Sequence, residues 1–177
     1  MTITWEQREL INLIAKGDSG GTPLTSNPNY YNGKIPFLSI TDVTNSNGYI
    51  FDTAKHISEE GLNSSSAWIV PKESISLAMY ASVGKVAILK DNISTSQAFY
   101  NMTFNSLILR DFVFHTLQKY EISSFWDAKV STGTQANLNA DKVKKTAICI
   151  PKNNEECKSI STFLYALDNL ITCHQRN

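Results

Sequence analysis

Apolar residues alternate or cluster over short distances along most of the chain, and settle into a long helical period only near the C-terminus. Thr4 to Lys16 carries Trp5, Leu10, Ile11, Leu13 and Ile14 at spacings that suit a strand or a short helix. Gly17 to Pro23, dense in turn-forming residues, predicts a loop. Asn32-Gly33 favours a tight hairpin turn, and Ile35 to Val43 predicts a strand that Pro36 would confine to a sheet edge. After a turn over Asn45 to Gly48, Ile57 to Leu62 predicts one helical turn, capped by Ser58 and ended by Gly61. Ser74 to Leu89 alternates about Ser82-Val83-Gly84 and predicts a β-hairpin. Gln97 to Phe104 predicts a further strand, Ser106 to Tyr120 a helix, Ser131 to Gln135 a polar loop, and Thr146 to Ile150 a short strand.

The strongest periodic signal follows Pro151. Asn153, with Glu156 three residues later, forms a helix start of the capping-box kind. Cys157, Ile160, Leu164, Leu167, Ile171 and His174 then recur at alternating spacings of three and four, a heptad seam widened by Phe163 and Leu170. A helix from Asn154 to Asn177 would be roughly 36 Å long, which suits an arm that packs against another helix. Its stripe could also cover the chain's own core. The fold class expected is mixed α/β, with a globular domain over residues 1–150 and a long C-terminal helix over 151–177.

Composition narrows the setting. The 177 residues suffice for one sizeable core, and 42% hydrophobic with 18% charged residues describes a folded globular chain. No apolar run reaches the roughly 20 residues of a membrane-spanning helix, and the first residues lack a signal-peptide pattern, so the expectation is a cytoplasmic protein. Three widely spaced cysteines without a CxxC pair argue against a zinc site. Lysine plus arginine balances aspartate plus glutamate at 16 each. That neutrality disfavours a solitary, tight, nonspecific nucleic-acid binder, yet allows a base reader whose partners supply most phosphate contacts.

Asn27-Pro28-Asn29-Tyr30 differs by one letter from NPPY, the tetrapeptide that methylates exocyclic amino groups of flipped bases. Such chemistry also needs a cofactor fold with a glycine-rich turn leading from a strand into a helix. Only 26 residues precede Asn27, and the Gly17–Gly21 cluster runs into Thr22-Pro23 instead of a helix. The stretch therefore reads as a turn with packed tyrosines, and a stand-alone methyltransferase is disfavoured.

Taken in order, GGTP at residue 20, YYNGKIPFLSITDV, HISEEGL, SVGKVAIL, STSQAF, STGTQANL, TAICIP and the terminal LDNLI resemble the specificity subunit of type I restriction–modification systems. The resemblance runs from Trp5 to Ile171. Phe37 stands where that family usually has tryptophan. Family members usually carry two target-recognition domains and two long helices, whereas this chain carries one of each and resembles a half-size form. The resemblance implies a protein with no catalytic residues and no cofactor of its own, S-adenosylmethionine being bound by a partner modification subunit. It implies double-stranded DNA, modification subunits and a restriction subunit as partners, with one recognition domain reading one half of a bipartite target. A decoy that occupies the specificity slot on modification subunits would look the same in sequence.

Side chains with paired donors and acceptors read base edges, while lysines and hydroxyls hold phosphates. On that basis Lys34 and Lys85 are candidate phosphate ligands, and Gln97, Gln135 and Asn137 candidate base readers assisted by Tyr80, Ser82 and Thr134. Ile160, Phe163, Leu164, Leu167, Leu170 and Ile171 are the candidate homodimer interface.

Overall fold

The computed structural model describes residues 4–130 and 138–175, and for 169 and 171–175 the backbone alone. In chain order the strands are β1 (Trp5–Glu9), β2 (Lys16–Ser19), β3 (Ile35–Leu38), β4 (Tyr49–Ile50), β5 (Lys55–Ile57), β6 (Ile69–Val70), β7 (Ile75–Ala78), β8 (Val86–Leu89), β9 (Ile93–Thr95), β10 (Phe99–Thr103) and β11 (Ala147–Pro151). The helices are α1 (Ile40–Asn45), α2 (Glu59–Asn63), α3 (Leu107–Ile122), α4 (Ala140–Lys144) and α5 (Asn154–Gln175). One sheet has the order β2-β10-β7-β8-β4, a second the order β5-β3-β9-β6, and β1 pairs antiparallel with β11, the strand that precedes α5.

The hairpin of β7 and β8 is the centre of the molecule, with Ile75 opposite Ile88 and Leu77 opposite Val86. Every residue of both strands is buried, so the alternation separates two cores and not core from water. Ile75, Leu77, Val86 and Ile88 face a first core completed by Phe112, Val113, Phe114 and Leu117 of α3 and by Trp126. Ala78, Ala87 and Leu89 face a second core with Leu38, Val43, Ile93 and Phe99. Burying each large aliphatic side chain contributes about 1.5–3 kcal/mol, which makes this doubly covered hairpin the main anchor of the fold. Ser106, the first residue of the predicted helix, is the cap of α3, its hydroxyl accepting from the Leu109 amide at 3.3 Å.

Several expectations are corrected. Residues 17–19, expected as loop, belong to the edge strand β2, because Gly17 lets the chain pass close over the Tyr100 hydroxyl while Ser19 pairs with Tyr100. The predicted strand from Ile35 to Val43 stops at Leu38. Ser39 and Asp42 form a reciprocal capping box that starts α1, so a local polar signal outweighs the β-branched run. Pro36 lies within an interior strand: it stands opposite His56, and the ladder with β9 begins only at Phe37. Asn32-Gly33 makes no hairpin, since Gly33 instead sits against the Ile57 carbonyl on β5. Gly61 lies inside α2 against Tyr30, and Ser64 ends the helix.

The expected division at residue 150 falls inside β11, and the first turns of α5 belong to the first core through Cys157 and Ile160. Asn153 caps α5, its side chain accepting from the Glu155 amide at 2.9 Å. Glu156 accepts from the Trp5 indole at 3.1 Å and so ties α5 to β1.

Candidate functional site

The NPNY segment is a 3-10 turn, Pro28–Tyr31. The Asn27 side chain is occupied as its cap, accepting from the Asn29 amide at 3.1 Å. The Tyr30 carbonyl accepts from the Ser58 amide, and the Tyr31 hydroxyl donates to the Pro23 carbonyl at 2.7 Å. The Asn27 side-chain oxygen, the Tyr30 carbonyl and the Tyr31 hydroxyl are thus used to hold the segment in its turn.

A different part of the molecule gathers the predicted readers. At one end of the five-stranded sheet, the Met79 amide donates to the Ala98 carbonyl at 2.7 Å and the Leu138 amide donates to Met79 at 3.0 Å. This brings together the β7–β8 tip (Tyr80, Ser82, Lys85), the β9–β10 turn (Gln97) and the residue that follows the 131–137 segment. Thr134, Gln135 and Asn137 lie outside the described residues. Tyr80, Ser82 and Gln97 are exposed. Gln97 is oriented by Thr22, whose hydroxyl donates to its Oε1 at 2.5 Å. Thr22 stands in the Gly20-Gly21-Thr22-Pro23 motif, and was not singled out from sequence because its partner lies 75 residues away.

The two glycines of that motif serve close approach. A Cβ on Gly20 would collide with the Thr95 carbonyl, and one on Gly21 with Ser66 and Ala67; the Gly21 amide donates to Thr95 at 3.0 Å. Beneath them runs a buried polar chain. Ser76 donates to Asn101 Oδ1 at 2.7 Å, and Asn101 Nδ2 donates to Thr95 Oγ1 at 2.8 Å and to the Asp18 carbonyl at 3.3 Å. All three side chains are essentially inaccessible to water, and their partners are met.

The hairpin tip itself is strained. Ala81 and Ser82 adopt positive φ of 37° and 60°, and Gly84 88°. Gly84 has to be glycine twice over: its backbone is left-handed, and a Cβ would lie 2.6 Å from the Trp126 indole nitrogen. Lys85 is half-buried, and its ammonium lies 3.7 Å from Glu121 on α3, so its charge is partly answered within the chain. At the opposite end of the hairpin, Glu73 accepts from Lys90 at 3.0 Å and from buried Arg110, which also pairs with Asp111 at 2.6 Å. Burial alone would raise the Glu73 carboxyl, but the hydrogen bonds from Lys90 and Arg110 prevail and hold it below the usual carboxylate range.

Lys34 stands apart from that end of the sheet. It is exposed, next to a cleft of about 610 Å³ lined by Thr25, Tyr31, Asn32, Gly33, Lys55 and His56. Lys55 is exposed in the same place, and His56 Nε2 lies 3.1 Å from Asp52. Sequence reasoning missed these two because β5 becomes a sheet edge only in the fold.

On α5 the apolar residues divide. Cys157 is buried and Ile160 packs against the first core, while burial pushes the Cys157 thiol up from its ordinary value. Ile160 and Leu164 line a groove of about 590 Å³ between α3 and α5, with Trp5, Phe112 and Tyr120. Phe163, Leu167 and Leu170 face outward, 64%, 38% and 66% exposed. The Ile171 side chain lies outside the described residues.

This mixed α/β architecture is the fold of solved type I specificity subunits. The S subunit of M. genitalium matches over 95% of this chain and 40% of its own, with a TM-score of 0.68 at 16% identity. The HsdS subunit of Thermoanaerobacter tengcongensis matches over 99% and 40%, with a TM-score of 0.71 at 14% identity. The sequence carries the assignment further. Residues 2–177 match the family described as the type I restriction modification DNA specificity domain, and the chain belongs to that family. Among curated relatives, the type I restriction enzyme MjaIX specificity subunit of Methanocaldococcus jannaschii is 28% identical over 168 residues, 94% of this chain and 38% of its own length. The HindI specificity subunit of Haemophilus influenzae is 27% identical over 172 residues, 94% of this chain and 37% of its own. The chain thus spans under two fifths of the length of these relatives, which are named as specificity subunits, the non-catalytic components of type I restriction–modification complexes.

Proposed function

We propose that this chain is a non-catalytic DNA specificity module that reads one short half of a bipartite duplex target. It directs modification subunits, and a restriction subunit where one is present, to that site. On this reading S-adenosylmethionine belongs to the modification subunit. The supporting observation is the family match over residues 2–177, together with the convergence of the Tyr80–Lys85 tip, Gln97 and Thr22 at one end of one sheet. The balance of 16 cationic and 16 anionic side chains fits a reader that leaves most phosphate contacts to its partners.

The outward row of Phe163, Leu167 and Leu170 on α5 would pair two copies in antiparallel fashion. A two-fold pair presents the same reader at both ends, so the target becomes an interrupted palindrome with identical halves. The test is co-expression with a modification subunit in a host lacking other adenine methylation, followed by methylome sequencing. One interrupted motif with identical halves is the expected result. An unchanged methylome overturns the specificity role, and a motif with unlike halves removes the homodimer while leaving the reader intact.

A further inference from the structure

The β7–β8 tip carries more hydrogen-bond donors than the chain answers. The tip is closed by three backbone bonds: Gly84 N–H to the Ala78 carbonyl at 2.9 Å, Lys85 N–H to Ser82 at 3.1 Å, and Ala78 N–H to Lys85 at 2.8 Å. Between them the amides of Tyr80, Ala81, Ser82 and Val83 donate to no acceptor among the described residues. The indole of Trp126 packs against the Gly84 backbone; its N–H is unmet but inaccessible to solvent, so Trp126 supports the tip from within and offers no donor to a ligand. Exposed amides without a partner in the chain are met by water, which a ligand acceptor can replace.

The backbone shape supplies the reason for the surplus. Successive left-handed residues, here Ala81 and Ser82, turn neighbouring N–H groups out of any ladder, and turns of this kind form concavities that hold anions. Tyr80, Ala81 and Ser82 are exposed, so the concavity is open to a ligand. Lys85 stands at its base with Glu121 as a loose partner at 3.7 Å. Unanswered amide donors beside a cation with only one loose carboxylate partner favour an anion there.

We infer that the Tyr80–Val83 turn is a backbone-amide cradle for a single phosphodiester group of the bound duplex, floored by Trp126 and assisted by Lys85. The inference rests on the DNA-reading role proposed above and gives this tip the task of fixing register, not of reading bases. The neighbouring Thr22–Gln97 pair remains a place for base contacts.

Ser82 provides the test. Asp and Asn both tolerate a left-handed backbone and differ there by one charge, so Ser82→Asp and Ser82→Asn should melt alike. Each variant is assembled with modification subunits and measured on a duplex carrying the motif mapped for the unaltered chain. Ser82→Asp places an anion in the cradle and should weaken binding roughly tenfold on every sequence, whereas Ser82→Asn adds no charge and should weaken it far less. The methylated motif stays the same in both. Replacing phosphates one at a time by neutral methylphosphonates should reveal one position that weakens the unaltered chain and leaves Ser82→Asp indifferent. Equal binding by the two variants, a changed motif in Ser82→Asp, or the absence of such a phosphate overturns the cradle alone. An unaltered chain that specifies no motif overturns the DNA-reading role, and the cradle with it.

Discussion

Ser76 and Tyr80 are four residues apart on the same side of one hairpin, yet the polar groups around them are treated in opposite ways. Around Ser76, the chain of Asn101, Thr95 and the Asp18 carbonyl meets its donors and acceptors in a dry interior. Around Tyr80, four amides are left over. The difference separates scaffold from site. A saturated network fixes the Gly20–Gly21 crossing through Thr95 and has nothing to offer a ligand, while an unsaturated turn is held in shape by its neighbours and completed from outside.

The comparison breaks most visibly at Asn101. Asn101→Leu keeps the volume but strands the Ser76 and Thr95 hydroxyls and the Asp18 carbonyl, and should cost about 3 kcal/mol or more in urea unfolding. Glu73→Gln comes next, since it takes a carboxylate from buried Arg110 and should cost about 1–3 kcal/mol at neutral pH. The sign with pH follows from the lowered carboxyl of Glu73. Its contribution is complete above the unfolded value of 4.5 and disappears as pH falls through the lower folded value, so the gap between the two proteins should close in acid. Thermal melts across pH check this.

The same contrast applies to apolar surface on α5, where Cys157 and Ile160 are used internally and Phe163 and Leu170 are not. Phe163→Glu with Leu170→Glu should leave the unfolding midpoint of the monomer in place. It should weaken self-association at least about tenfold in sedimentation, roughly 1.4 kcal/mol. The smallest effect is expected at the tip. Ser82→Gly relieves a left-handed residue at 60° and should raise stability by about 0.5 kcal/mol, the left-handed cost being partly offset by glycine's entropy. A loss there would mean that the turn is not strained.

Much of the frame was legible because its causes are local. The hairpin from Ser74 to Leu89 announces itself by alternation around a glycine turn, α3 by Ser106, and α5 by Asn153. The failures share a cause as well. The stretch 17–19 reads as loop because glycine and aspartate are poor strand formers, and becomes part of a strand because β10 offers it a ladder from Tyr100 to Met102. The stretch 40–43 reads as strand by its β-branched residues, although the Ser39–Asp42 capping signal was in plain view. Of the candidate site, Tyr80, Ser82, Lys85 and Gln97 were proposed from their residue types. Thr22, Lys55, His56 and Trp126 were not, since nothing near them in sequence shows what they face.

By itself the sequence determined the family, the central hairpin and the starts of the two longest helices, all from signals within a few residues of one another. Tertiary structure alone decided which polar groups are spent and which are spare. Asn101 meets Ser76 across 25 residues, Arg110 meets Glu73 across 37, and Trp5 meets Glu156 across 151. A donor's worth to a ligand depends on whether the fold has already given it an acceptor, and that acceptor is supplied by chain brought from far away.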